Sequence, residues 1–151
     1  MRDTISEALK TAMKAKDTRR VSTLRLVQAA IKERDIANRG IGKDAASDDD
    51  LLQILAKMVK QREESAKIYD DAGRPELAEH EREEIAIIAD FQPEQFSDDK
   101  VRAVTAEVIA EVGAAGIRDM GKCMAILKER YAGQMDFAKA SGILKELLSA
   151  L

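Results

Sequence analysis

Tryptophan is absent from the chain, and cysteine and histidine occur once each, as Cys123 and His80. A single thiol excludes an internal disulfide, and one thiol with one imidazole excludes a zinc site of ordinary composition. Aromatic residues make up only 3% of the 151 positions, so the core has to be aliphatic. Strand-rich domains draw on β-branched and aromatic runs, whereas the abundant residues here are Ala, Leu, Glu, Lys and Arg, the good helix formers. No apolar stretch approaches the roughly 20 residues that span a bilayer. The opening MRDTISEALKTAMKAKD contains acids and lacks a continuous apolar run, which fits neither a signal peptide nor a clean transit peptide. These absences predict a soluble, all-α protein of the reducing cytoplasm, without membrane contact.

What is present is a folded composition, 45% hydrophobic and 35% charged, long enough for one respectable core or two small ones. The formal charge of -3 hides an asymmetry. Residues 1 to 46 hold eleven Lys or Arg against six Asp or Glu; residues 47 to 99 hold six against sixteen; residues 100 to 151 hold eight against six. Either the acidic middle is a working surface that repels polyanions while the ends attract them, or the acids simply coat solvated helices.

Hydrophobic spacing and capping residues divide the chain into seven helical segments. Ile5, Leu9, Ala12 and Met13 make one stripe, and Asp17 or Thr18 caps a second helix that carries Val21, Leu24 and Ile31 to about Arg39. Gly40 and Gly42 end it. Ser47 followed by three aspartates opens a long third helix with Leu51, Leu55, Met58, Val59, Arg62, Ala66 and Tyr69 on or beside one face, and Gly73 stops it before Pro75 starts a fourth. Pro93, inside DFQPEQFSDD, breaks helical continuity and sets the expected division into an N-terminal helical module of about four helices, residues 1–92, and a small three-helix tail, residues 93–151. In the tail, Ser97 opens one helix that Gly113 and Gly116 close. Residues 119–131 form the next, ended by Gly133, and Asp136 caps the last.

No catalytic residues emerge from this reading. His80 sits in the run ELAEHERE on a charged helix, as an exposed surface histidine would, and Cys123 lies beside Met120, Met124 and Leu127 as a small buried hydrophobe. The acids are neighbours in sequence, whereas a metal or acid–base site needs carboxylates converging from separate elements. No metal and no cofactor is expected. Gly121, in DMGK, either permits a close helix crossing or marks a turn whose N–H groups face an anion. The cations carry the strongest functional signal: Lys14, Lys16, Arg19, Arg20 and Arg25 around the first helix junction, and Arg118, Lys122, Lys128, Arg130 and Lys139 on the last two helices. Such spacing tracks phosphates without reading bases, and the scarcity of aromatics argues against single-strand stacking.

The words MKAKD at 13–17, STLRLVQAAIKERD at 22–35, YDDAGRPEL at 69–77, FQPEQFSDD at 91–99 and GIRDMGKCMAILKERYAG at 116–133 resemble the small YqeY proteins over nearly the whole chain. The C-terminal part also resembles the tail domain of GatB, a subunit of glutamyl/aspartyl-tRNA amidotransferase. The resemblance implies a helical module joined to a compact helical tail, and in GatB that tail is associated with docking tRNA. It falls on Pro93, on Asp119, Met120, Gly121, Lys122 and Met124, and on Gly133 with Asp136. Gln134 stands where the family often has a basic residue, and Phe137, as core packing or a small exposed anchor, where it often has glycine.

The expectation is a non-catalytic binding module that meets tRNA, or a tRNA-amidotransferase or synthetase assembly, through the tail and acts as an auxiliary to tRNA-dependent amidation. The alternative is a protein-interaction adaptor using the acidic helices of residues 48–90. A carbon–nitrogen ligase activity with glutamine as amido donor would follow from the GatB resemblance alone. A monomer is expected, because each amphipathic face can be buried internally.

Overall fold

The computed structural model describes residues 1–151, entirely as helices and connections. They form two compact units, Met1–Gln92 and Pro93–Leu151. The first holds α1 (Arg2–Lys14), α2 (Thr18–Gly40), α3 (Asp48–Asp71) and α4 (Pro75–Ala89). The second holds α5 (Asp98–Val112), a 3-10 turn (Ile117–Asp119), α6 (Met120–Arg130) and α7 (Phe137–Ser149). Four helices followed by three is the all-α arrangement that the spacing predicts.

The helix starts lie at the capping residues. Asp17, rather than Thr18, accepts the N–H of Arg20 and caps α2. Ser47 and Asp50 exchange hydrogen bonds in a full capping box on α3, and three aspartates in that first turn oppose the positive end of its dipole. Ser97 caps α5 and Asp136 caps α7.

The helix ends show one departure. After α2, α3 and α5 the chain turns through a left-handed residue, Gly42, Gly73 or Gly113, and the next N–H bonds back to the last turn, as Arg74 does to the Tyr69 carbonyl at 2.8 Å. Helix α1 closes with the same pattern, Lys16 N–H to Met13 and Asp17 N–H to Ala12, but its left-handed residue is Lys16, at φ 58°. Lysine there carries a Cβ clash that glycine avoids, worth about 1 kcal/mol.

In the first unit α3 packs along α4, and α2 touches α1, α3 and α4. Ile5, Leu24, Val27, Leu51, Leu55, Met58 and Ile88 fill the centre. Ile54, absent from the predicted stripe of α3, is also buried, whereas Met13, predicted on the stripe of α1, is half exposed. The charged frame is as specific as the core. Arg2 donates to both carboxylate oxygens of Asp35, at 2.9 and 2.6 Å, and to the Ala46 carbonyl, while Asp35 also accepts the Ala46 N–H at 2.8 Å. This clamp holds the α2–α3 loop, and Arg2 together with that N–H holds Asp35 at about 2, well below the usual carboxylate range.

In the second unit α5, α6 and α7 touch one another around Val104, Val108, Cys123, Leu127, Leu144 and Leu148. Thr105 is buried, and its hydroxyl donates to the Val101 carbonyl at 2.7 Å. Residues 93–96, PEQF, are held against this core. Phe96 N–H donates to the Gln134 carbonyl, the Gln95 amide donates to the Pro93 and Gly133 carbonyls, and Phe96 meets Tyr131 edge to face at 5.3 Å.

Candidate nucleic-acid interface

Helix α6 turns Cys123 and Leu127 into the core, with Met120 and Met124 partly buried beside them. At about 100° per residue its opposite face carries Gly121, Ala125, Lys122, Lys128 and Glu129, all exposed. Gly121 and Ala125 run down the middle of that face, with Lys128 on one side and Lys122 on the other. Arg118 stands in the 3-10 turn one turn before Lys122. Arg118, Lys122 and Lys128 make no ion pair or side-chain hydrogen bond. A Cβ added to Gly121 would meet nothing within 4 Å, so of the two roles open to Gly121 a close helix crossing is excluded.

Asp119 precedes α6 but does not cap it. Its carboxylate turns back to accept the Ala115 N–H at 2.8 Å. That bond, then one from the Gly116 backbone and the fields of Arg118 and Lys122, hold its carboxyl below the ordinary carboxylate range. The N–H of Met120, the first residue of α6, bonds back to the Ile117 carbonyl of the 3-10 turn, so the turn rather than a side chain closes the start of the helix.

The other two tail cations of the predicted set, Arg130 and Lys139, are engaged. Arg130 grips Glu111 through two bonds of 2.7 Å, and Lys139 reaches Asp98 at 2.9 Å. Gln134, where a basic residue was noted as missing, donates its amide to the Glu94 carbonyl at 3.4 Å, and Phe137 packs partly buried against the core. Gly133 takes a left-handed turn at φ 76° and Asp136 accepts the Ala138 N–H.

The junction of α1 and α2 divides similarly. Arg19 pairs with Glu83 at 3.5 Å, and Arg20 pairs with Asp90 at 2.9 Å while lying 5.8 Å from the Phe91 ring centre. Lys14, Lys16 and Arg25 are exposed and have no carboxylate within ion-pair distance. On residues 48–90 much of the acidic charge is used internally: Glu84 holds Arg62 at 2.7 Å, Asp70 holds Arg82, and Asp50 serves the capping box, Arg34 and Asn38. His80 is exposed. Burial pushes the Cys123 thiol up, and Asp119 adds to the shift, so it is a poor nucleophile. No three His, Cys, Asp or Glu side chains converge on a metal position, and no helix is long and apolar enough to cross a membrane.

The model of the YqeY-like protein family matches residues 2–148. The chain belongs to that family. Membership supports a non-catalytic helical domain. Among curated relatives, the Altered inheritance of mitochondria protein 41, mitochondrial, of Clavispora lusitaniae is 32% identical over 108 residues, 70% of this chain and 61% of the relative. The protein of the same name in Kluyveromyces lactis is 35% identical over 89 residues, 58% of this chain and 46% of the relative. An uncharacterized protein of Schizosaccharomyces pombe is 31% identical over 94 residues, 62% of this chain and 73% of the relative. The chain thus spans about half to three-fifths of the first two relatives' length. These names overturn the cytoplasmic placement expected from composition, because the relatives whose names give a location are named mitochondrial. The physical reason is that a lone buried thiol forms no disulfide in any compartment, so it carries no address.

Proposed function

We propose that this YqeY-like protein is a non-catalytic module that contacts the phosphate backbone of folded RNA, tRNA in particular, through the exposed face of α6, as an auxiliary to a tRNA-amidotransferase or synthetase assembly. The observation that carries the reading is the face itself: Gly121 and Ala125 leave it low enough for a backbone to approach, and Arg118, Lys122 and Lys128 are exposed and ion-paired to no carboxylate, the fields of Arg118 and Lys122 reaching only Asp119. Exposed Glu129 limits the affinity, and with no aromatic on the face the contact is to shape and charge, not to bases.

Titration of folded tRNA into the protein across a salt series tests this. Saturable binding is expected whose logarithm falls linearly with the logarithm of salt, with a slope of about two to three phosphates neutralised. Arg118→Glu with Lys122→Glu should abolish it, while Arg130→Ala, which loosens only the grip on Glu111, should change it little. No binding at low salt, or binding that survives the double reversal, overturns the proposal.

A further inference from the structure

We infer that the groove at the α1–α2 corner is a docking site for an acidic amphipathic helix of a partner protein. The groove is shallow and open, with a volume of about 790 Å³, and is lined by Met13, Lys16, Thr18, Val21, Ser22, Arg25 and Leu26. Met13 and Leu26 are 50% and 49% exposed, although both lie on helices with ample apolar company in the core below. No carboxylate lines the groove. Its charged members are Lys16 and Arg25, neither of which has an ion-pair partner, while Arg19 and Arg20, on α2 with Arg25, are paired to Glu83 of α4 and to Asp90 just after it. The acids of α4 thus leave these rim cations uncompensated.

Lys16 adds an independent observation. In the three comparable helix ends of this chain the left-handed position is glycine; here a lysine holds it and stands at the rim of the groove. Strain kept at a surface residue marks a position where the side chain is needed for something other than the fold.

An apolar floor with a cationic rim selects an occupant that is apolar on one side and acidic on its flanks. An RNA strand offers no apolar ridge, and the groove has no aromatic side chain on which a base could stack. A lipid surface is held by clusters of about four or more cations beside the apolar side chains, whereas this groove offers two, Lys16 and Arg25. A helix with aliphatic or aromatic side chains at i, i+3 or i+4, and i+7 places a ridge in such a recess and its flanking carboxylates against Lys16 and Arg25. The site lies in the first unit and is independent of the RNA contact proposed for α6.

The test uses the full chain labelled with 15N and a small panel of synthetic helical peptides of about four turns, with Leu ridges of different helical spacing and Glu flanks. A twin set carries Lys flanks. Saturable amide shifts confined to residues 13–26, produced by at least one Glu-flanked peptide and by none of the Lys-flanked twins, are expected. Leu26→Glu and Arg25→Glu should each weaken that binding by about tenfold or more. Both residues are exposed, so both variants should retain the helical circular dichroism of the parent. Lys16→Gly should weaken binding while leaving the fold intact. The inference is overturned if no Glu-flanked peptide shifts these residues up to millimolar concentration, if the Lys-flanked twins bind equally, or if the shifts lie elsewhere. It is also overturned if the same residues respond to protein concentration alone, which makes the occupant a second copy, or only to phosphatidylglycerol vesicles or tRNA.

Discussion

The two units use the same residue types at the same helical spacing and put them to different ends. In the first, arginines reach across helices to carboxylates that are themselves partly shielded: Arg2 to Asp35, Arg62 to Glu84, Arg34 to Asp50. In the second, the cross-helix pairs stand in solvent, as with Arg102 and Glu146 at 48% and 64% exposure, and Arg118, Lys122 and Lys128 are left without an ion pair. Periodicity decides which face of a helix a charge occupies. Whether the charge then braces the fold or remains available depends on what another helix offers opposite, and spacing along one helix does not contain that information.

Substitutions in both units sharpen this contrast. The largest loss should come from the apolar centres, where the units behave alike. Leu55→Ala and Leu127→Ala each empty a position that is 0% exposed and should each cost about 3 kcal/mol in urea denaturation. A loss near zero at Leu127 would mean that the smaller unit is not held by its aliphatic core.

Next comes the clamp of the first unit. Asp35 has its folded-state pKa lowered to about 2, so its stabilising effect is complete above the ordinary carboxylate range and disappears as pH falls through about 2. Asp35→Asn should lower the denaturation midpoint at neutral pH by less than Leu55→Ala, and should flatten the acid limb of stability below about pH 4. An unchanged acid limb would show that the clamp contributes nothing to pH dependence.

The smallest effect belongs to the solvent pairs of the second unit. Arg102→Ala should change stability by no more than about 0.5 kcal/mol, and by less as salt is raised. A loss comparable to that of Asp35→Asn would erase the distinction between the two units.

Much of the architecture was legible in the residues because its determinants are local. Ser47 with Asp50, Ser97 and Asp136 have side chains that satisfy N–H groups two or three residues ahead, so the signal and the structure occupy the same few positions. The motif word DMGK was legible as a unit but not as a set of roles. It splits between Met120 in the core margin, Asp119 clipped to Ala115, and Gly121 with Lys122 facing solvent. Lys16 gave no sign of its left-handed conformation, because lysine there defies the glycine rule by which such turns are found. Nothing in the local sequence sets Asp35 apart either, since its partners Arg2 and Ala46 are distant along the chain.

By itself, then, the sequence determined the helical class, the seven segments and their caps, and an aliphatic core free of disulfide chemistry, because each depends on composition or on neighbours within a turn or two. The tertiary structure decided which cations are spoken for. An ion pair forms only where helix packing brings a carboxylate within a few ångströms, and that packing leaves Arg118 in the 3-10 turn, Lys122 and Lys128 on α6, and Lys16 and Arg25 beside an apolar groove, facing solvent without an ion pair.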